Sequence, residues 1–178
     1  DYKTSQIDQL IEKKKALIEK LDEQRIAVIT QAVTKGIDEN AKMRPSGVEW
    51  LGDVPEHWDV KRLRYVIRTT KGYAFKSSDF STSGVLVVKA SDIKNKTIIR
   101  SNVYLPESFS HTYESVKLKE NDIVISTVGS TADVINSAVG QVGKVPIDCD
   151  GALLNQNTVI LKPHSGLDNK YLEYLVAA

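Results

Sequence analysis

Asp92-Ile93-Lys94 is the nearest approach in this chain to a set of residues that breaks a covalent bond. An aspartate two positions before a lysine can hold a metal ion beside an oriented water, and Asp79 could add a second carboxylate. That spacing recurs by chance in ordinary chains, and nothing nearby reinforces it. His57, His111 and His164 stand far apart, with no cysteine or carboxylate at metal-ligand spacing. The phosphate-cradling GxxxxGK[ST] and GxGxxG loops and the GxSxG elbow are missing. "VGQVGKV" has glycines only at 140 and 143 and reads as a strand with a bulge or a close backbone approach. The expectation is a chain without catalytic residues, metal ligands or a cofactor of its own.

Binding chemistry is better represented. Net charge is only +1, but it is unevenly distributed. Residues 1–59 carry 9 basic and 12 acidic side chains, residues 60–100 carry 10 and 2, and residues 101–178 carry 5 and 9. A basic stretch of that length inside a neutral chain points to a polyanion. Within and after it lie four polar loops. Residues 69–80 offer Lys71, Tyr73, Lys76 and Ser77, and residues 89–97 offer Lys89, Ser91, Lys94, Asn95 and Lys96. Residues 126–133 offer Ser126, Thr127, Ser130 and Thr131, and residues 155–157 place Asn155, Gln156 and Asn157 in a row. Lysine and arginine suit phosphates and guanine edges, asparagine and glutamine suit adenine, and hydroxyls serve either. Arg62, Arg64 and Arg68 precede the loops and are expected to reach phosphates. Together these residues read as a surface for double-stranded DNA, with the three amides as the expected adenine readers.

The elements that must position them follow from periodicity. Ser5 to Thr34 reads as one helix, with Ile7, Leu10, Ile11, Leu17, Ile18, Leu21, Val28 and Ala32 forming one apolar stripe. Ser5-x-x-Asp8 resembles a capping box at its start, and Lys35-Gly36 marks its end. Lys14, Gln24 and Gln31 interrupt the seam, which argues against a long strict zipper. A lone rod with one apolar stripe is unstable in water and needs a second helix. Residues 37–58, with Gly47, Gly52 and Pro55 among Trp50, Leu51 and Trp58, read as a joint whose apolar side chains need burial. From residue 59 the runs "VLVVK" (85–89), "DIVIST" (122–127), "SAVGQVGKV" (137–145) and "NTVILK" (157–162) read as strands. "LDNKYLEYLVAA" closes as a helix capped by Asp168 or Asn169. The class is α+β: a long coiled-coil-type helix (1–36), a joint (37–58) and a domain on a twisted sheet (59–178).

Single Cys149 rules out an internal disulfide, fits a reducing cytoplasm and reads as a small buried hydrophobe. No window approaches a membrane span. A chain opening on Asp1, with no secretory leader pattern, is expected to be a fragment or a trimmed form.

"IDQLIEKKKALIEKLDEQRIAVITQAVTKGIDENAKMRPSGVEWLGDVPEHWDVKRLRYV" resembles the specificity subunits of type I restriction-modification systems. "GYAFKSSDFSTSGVLVVKASDI", "LKENDIVISTVGS" and "LLNQNTVILKP" are similar to the looser pattern of that family's target-recognition domains. The resemblance implies two recognition domains separated by two antiparallel helices, each domain reading half of a bipartite site. It implies methyltransferase subunits docked around the helices, which modify adenine at N6, and a motor-nuclease subunit that cleaves unmodified DNA. This chain has one helix and one domain, so it matches the central helix and the second domain, and stops short of that domain's expected end. Its helix is expected to pair with the other half of a full subunit or with a second copy. The alternative is a coiled-coil scaffold protein without DNA specificity, which would show no salt-dependent DNA affinity.

Overall fold

The computed structural model describes residues 2–129 and 139–177, and within them the chain forms two compact units, residues 2–60 and 61–177. The first unit begins with helix α1 (Tyr2–Lys35), whose 34 residues make a rod of about 51 Å. Ser5 lies inside this helix, so the capping box expected at Ser5 and Asp8 does not start it. The stop is where it was expected. Gly36 has φ +86, a conformation that suits glycine, and its N–H donates to Ala32 O at 3.2 Å.

The joint folds back onto this helix end. Strands β1 (Met43–Pro45) and β2 (Asp53–Pro55) pair antiparallel, with Val54 and Pro55 buried. Lys35 Nζ donates to Leu51 O at 2.9 Å and Asp53 O at 2.6 Å, so the last helical side chain staples the hairpin. Arg44 Nη2 donates to Trp58 O at 2.6 Å and its Nε to Glu56 O at 3.2 Å, closing the other side. A Cβ on Gly36 would lie 3.3 Å from Pro55 and 3.6 Å from the Trp58 ring, so the helix end and the joint are closely packed. Burial of the joint's apolar residues is only partial. Leu51 and Trp58 are half-buried, but Trp50 is 84% exposed. It sits in the turn from Val48 to Gly52, and two three-residue strands are too small to enclose an indole there.

In the second unit six strands form one mixed sheet among the described residues: β3 (Ile67–Lys71), β5 (Ile93–Lys94), β6 (Thr97–Ile98), β8 (Ile123–Ser126), β9 (Val142–Lys144) and β11 (Thr158–Pro163). The order is β3-β11-β8-β9-β6-β5. A three-stranded sheet, β10-β4-β7, combines β4 (Val85–Val88), β7 (Tyr104–Leu105) and β10 (Leu153–Leu154). Helix α2 (Ser108–Thr112) follows β7, and α3 (Asn169–Ala177) ends the described chain, capped by Asp168 Oδ1 accepting from Tyr171 N at 2.9 Å.

Period-two alternation assigns the two faces of the large sheet. Ile123 and Leu161 point to one side with Ile67, where they meet Leu172 of α3. Val124 and Ile160 point to the other, joining the main core with Val87, Val88, Leu105, Leu118, Leu153 and Leu154. Leu172 is fully buried; burying such a side chain contributes about 1.5–3 kcal/mol, which is how a nine-residue helix is held on the sheet. Cys149 is buried in the main core, and burial, with Asp148 beside it, pushes its thiol up to about 11.

Gly72 is where the fold tolerates least. A Cβ there would lie 1.9 Å from Asn155 O and 2.8 Å from Leu154 O, both backbone atoms that cannot swing aside. Replacing Gly72 with alanine should therefore destabilise the second unit by about 1–3 kcal/mol, read as a lower midpoint in denaturant. An unchanged midpoint would mean that the backbones do not approach as described. Gly143, in β9, lies 2.9 Å by the same measure from Thr97 O, the close approach expected of that strand.

Candidate nucleic-acid interface

Strand directions decide which loops meet. The register runs Val159 against Lys71, Thr158 against Ser126, and Val142 against Ile125. The C-terminal ends of β3 and β8 therefore lie beside the N-terminal ends of β11 and β9. β6 runs parallel to β9, so the Asn95–Lys96 turn that joins it to β5 falls at that end too. At about 4.8 Å per strand, five intervals spread these loops over roughly 24 Å.

The short 155–157 segment ties the loops together. Asn155 N donates to Val88 O at 2.8 Å, fixing the start of the 89–97 loop. Tyr73 N donates to Leu154 O at 2.9 Å and Gln156 N to Tyr73 O at 2.8 Å, fixing the 69–80 loop. Thr127 N donates to Asn157 O at 2.8 Å, fixing the start of the 126–133 loop. Four segments far apart in sequence thus share one backbone network. Lys71, Tyr73, Lys76, Ser77, Ser91, Lys94, Asn95, Lys96, Thr127 and Gln156 are exposed there, and Lys89, Asn155 and Asn157 are half-buried. Ser126 is buried, its hydroxyl donating to Val128 O at 2.8 Å. Ser130 and Thr131 lie outside the described residues.

Arg62, Arg64 and Arg68 are not brought to this end. Arg62 and Arg64 precede β3 at its opposite end, and Arg68 stands across from Lys162, one step from where Ile67 faces Pro163. All three are exposed; Arg64 Nη2 donates to Tyr65 Oη at 2.7 Å, with the guanidinium 4.7 Å from that ring's centroid.

The carboxylates in the basic stretch have local duties. Asp79 Oδ2 accepts from Lys76 N at 3.3 Å and Oδ1 from Ser78 Oγ at 3.3 Å. Asp92 Oδ2 accepts from Lys89 N at 2.9 Å and Oδ1 from Ser91 Oγ at 3.1 Å. "KSSD" and "KASD" are one device used twice, a lysine at the head of a turn that its own aspartate closes. Each acid is held against the backbone, with Lys76 exposed and Lys89 half-buried at the head of its turn. Among the described residues, no group of three His, Cys, Asp or Glu side chains could hold a metal.

An aromatic cluster supports the 69–80 loop. Tyr73 lies 4.4 Å from Tyr113 and 5.1 Å from Phe75 between ring centroids, and Phe109 stacks on Tyr113 at 5.4 Å. A hydrogen bond with Tyr73 raises the Tyr113 phenol above its ordinary value, with desolvation and the charges of Tyr73 and Asp79 adding to it. Phe109 and Tyr113 escaped the sequence reading because their partners lie some forty positions earlier. The repeated K-x-S-D pattern was a signal that could have been found.

No protein-family model matches the chain. The specificity subunit of the type I restriction enzyme MjaVIII from Methanocaldococcus jannaschii is 31% identical over 123 residues, covering 68% of this chain and 28% of that protein. The EcoAI specificity subunit of Escherichia coli is 35% identical over 75 residues, 42% of this chain and 13% of that protein. The solved HsdS subunit from Thermoanaerobacter tengcongensis matches with a TM-score of 0.55 at 16% identity, covering 94% of this chain and 39% of that one. A chain from a structure of complex assembly and conformational transition in the type I R-M system matches at 0.52 and 17%, covering 95% and 40%. At such identities the likeness of structure shows the fold alone. The chain spans under a third of the length of both curated relatives.

Proposed function

We propose that this chain, related in sequence and fold to the specificity subunits of type I restriction enzymes, recognises half of a bipartite DNA site without catalysing a reaction itself. The observation that carries this reading is the gathering at one end of the sheet of the 69–80, 89–97 and 155–157 loops with the start of the 126–133 loop, bonded through residues 155–157. Lysines Lys71, Lys76, Lys89, Lys94 and Lys96 would meet phosphates, while amides and hydroxyls between them would meet base edges. Helix α1 would supply spacing and the docking surface for a second helix and for methyltransferase subunits, with a restriction subunit joining through that assembly.

A rod and a set of loops then have separable duties. A rod sets the distance between two recognition halves, and about 34–36 Å brings both to the same face of B-DNA. Loops on a packed sheet can change their hydrogen-bonding groups and leave the core intact. Shortening α1 by four residues should change the permitted gap between half-sites and keep the bases. Exchanging the 69–80, 89–97 and 155–157 loops for those of a relative should change the bases and keep the gap. Methylome sequencing of cells carrying each variant reads both quantities. A base change from the shortened helix, or a gap change from the exchanged loops, sinks this division of labour. A wild-type assembly with no salt-dependent DNA affinity would favour the scaffold reading.

A further inference from the structure

We infer that Gln156 is the amide of the 155–157 segment that reads a base, and that Asn155 and Asn157 are positioning residues for it. The inference rests on the DNA-reading function proposed above and selects among three neighbouring amides by asking what the fold needs of each.

Asn155 has work inside the turn. Its Oδ1 accepts from Gln156 N at 2.7 Å, its carbonyl accepts the Thr158 hydroxyl, and its backbone bridges Tyr73. An asparagine side chain that accepts from the next backbone N–H shapes a turn. Asn157 has φ +70, where asparagine is among the few side chains tolerated, and its carbonyl anchors Thr127 N. Both are half-buried. The identities of these two residues are explained by local backbone geometry.

Nothing of the kind explains Gln156. It is not among the residues with positive φ, its backbone N–H is already bonded to Tyr73 O and Asn155 Oδ1, and its side chain is exposed. Among the described residues its side-chain amide has no hydrogen-bond partner. Asn95 is the other exposed amide of the predicted set, and its φ of 52 in the turn before Lys96 accounts for it as a turn residue. Gln156 is also carried on the most cross-linked segment of the face. A side chain rooted there loses little further freedom when it meets a base edge. A glutamine amide matches adenine, donating to N7 and accepting from the N6 amino group.

The test uses the complete methyltransferase assembly and a pool of randomised duplex DNA. With Gln156→Ala, preference for adenine should fall about 5- to 150-fold at one position, with the others retained. With Gln156→Glu the same position should move toward cytosine, whose amino group a carboxylate accepts. Asn155→Asp keeps the turn's acceptor and Asn157→Gly keeps the left-handed backbone, so each should lose affinity on all sequences alike while still preferring adenine at the position that Gln156 reads. The inference is overturned if Gln156→Ala selects an unchanged sequence with unchanged stringency, or if Asn157→Gly erases an adenine. If the wild-type assembly selects no sequence at all, the DNA-reading function fails, and this inference fails with it.

Discussion

Replacing Lys71, Lys76, Lys94 and Lys96 together with alanine should lower the slope of log affinity against log salt by about 3–4 units. Each lysine that neutralises a phosphate releases a condensed cation, so four lost contacts weaken binding about 1,000-fold or more at 0.1 M salt. The loss should be equal on every DNA sequence, because phosphates carry no base identity. All four side chains are exposed, so folding stability should change by about 0.5 kcal/mol or less per site. Lys96 Nζ donates to Ala177 O at 3.3 Å, a surface contact whose loss is small. Binding isotherms at several salt concentrations provide the measurement. An unaltered slope would place the phosphate surface elsewhere, Arg62, Arg64 and Arg68 being the next to test.

Leu17→Asp with Leu21→Asp should abolish assembly through α1. The stripe leaves Ile7, Leu10, Ile11, Leu17, Ile18, Leu21 and Val28 between 46% and 68% exposed, and only Ala32 is half-buried. Two leucines buried against a partner contribute about 3–6 kcal/mol, a change of roughly 10²- to 10⁴-fold in dissociation constant. The carboxylates would add the cost of taking two charges out of water. Since both positions are exposed in the chain itself, the second unit should melt as before, which separates lost docking from lost folding. Sedimentation of the chain with its methyltransferase partner distinguishes the outcomes. Unchanged assembly would assign the stripe another use.

The elements legible in the sequence were those that carry a period. The stripe of α1, the four apolar strand runs and the Asp168 cap each follow from local pattern, and β4, β8, β11 and α3 stand where they were expected. β3 escaped notice because "IRTTK" buries only Ile67 fully and reads as polar loop. Its strand character comes from five partners on β11, some ninety positions later in the chain. β5, β6, β7 and β10 have two residues each, too few for any period to appear. The loops of the candidate interface were legible by composition. Their gathering at one end was not, because it depends on strand order and direction. Trp50 shows the opposite failure: a large apolar side chain suggests a core, but this hairpin has no room for one.

The staple from Lys35 to the joint gives α1 a phase as well as a length. Because Lys35 holds Leu51 O and Asp53 O directly, the hairpin turns with the last helical residue as one body. Removing one residue from the helix would rotate that body by about 100° relative to the far end and withdraw it by about 1.5 Å. Seven residues come close to two whole turns, restoring the heading to within about 20° at a shift of roughly 10 Å. Lengths that preserve the heading therefore form a ladder with unequal rungs, near three or four residues and again near seven. Variation in the length of such a helix should be quantised by direction long before it is limited by reach.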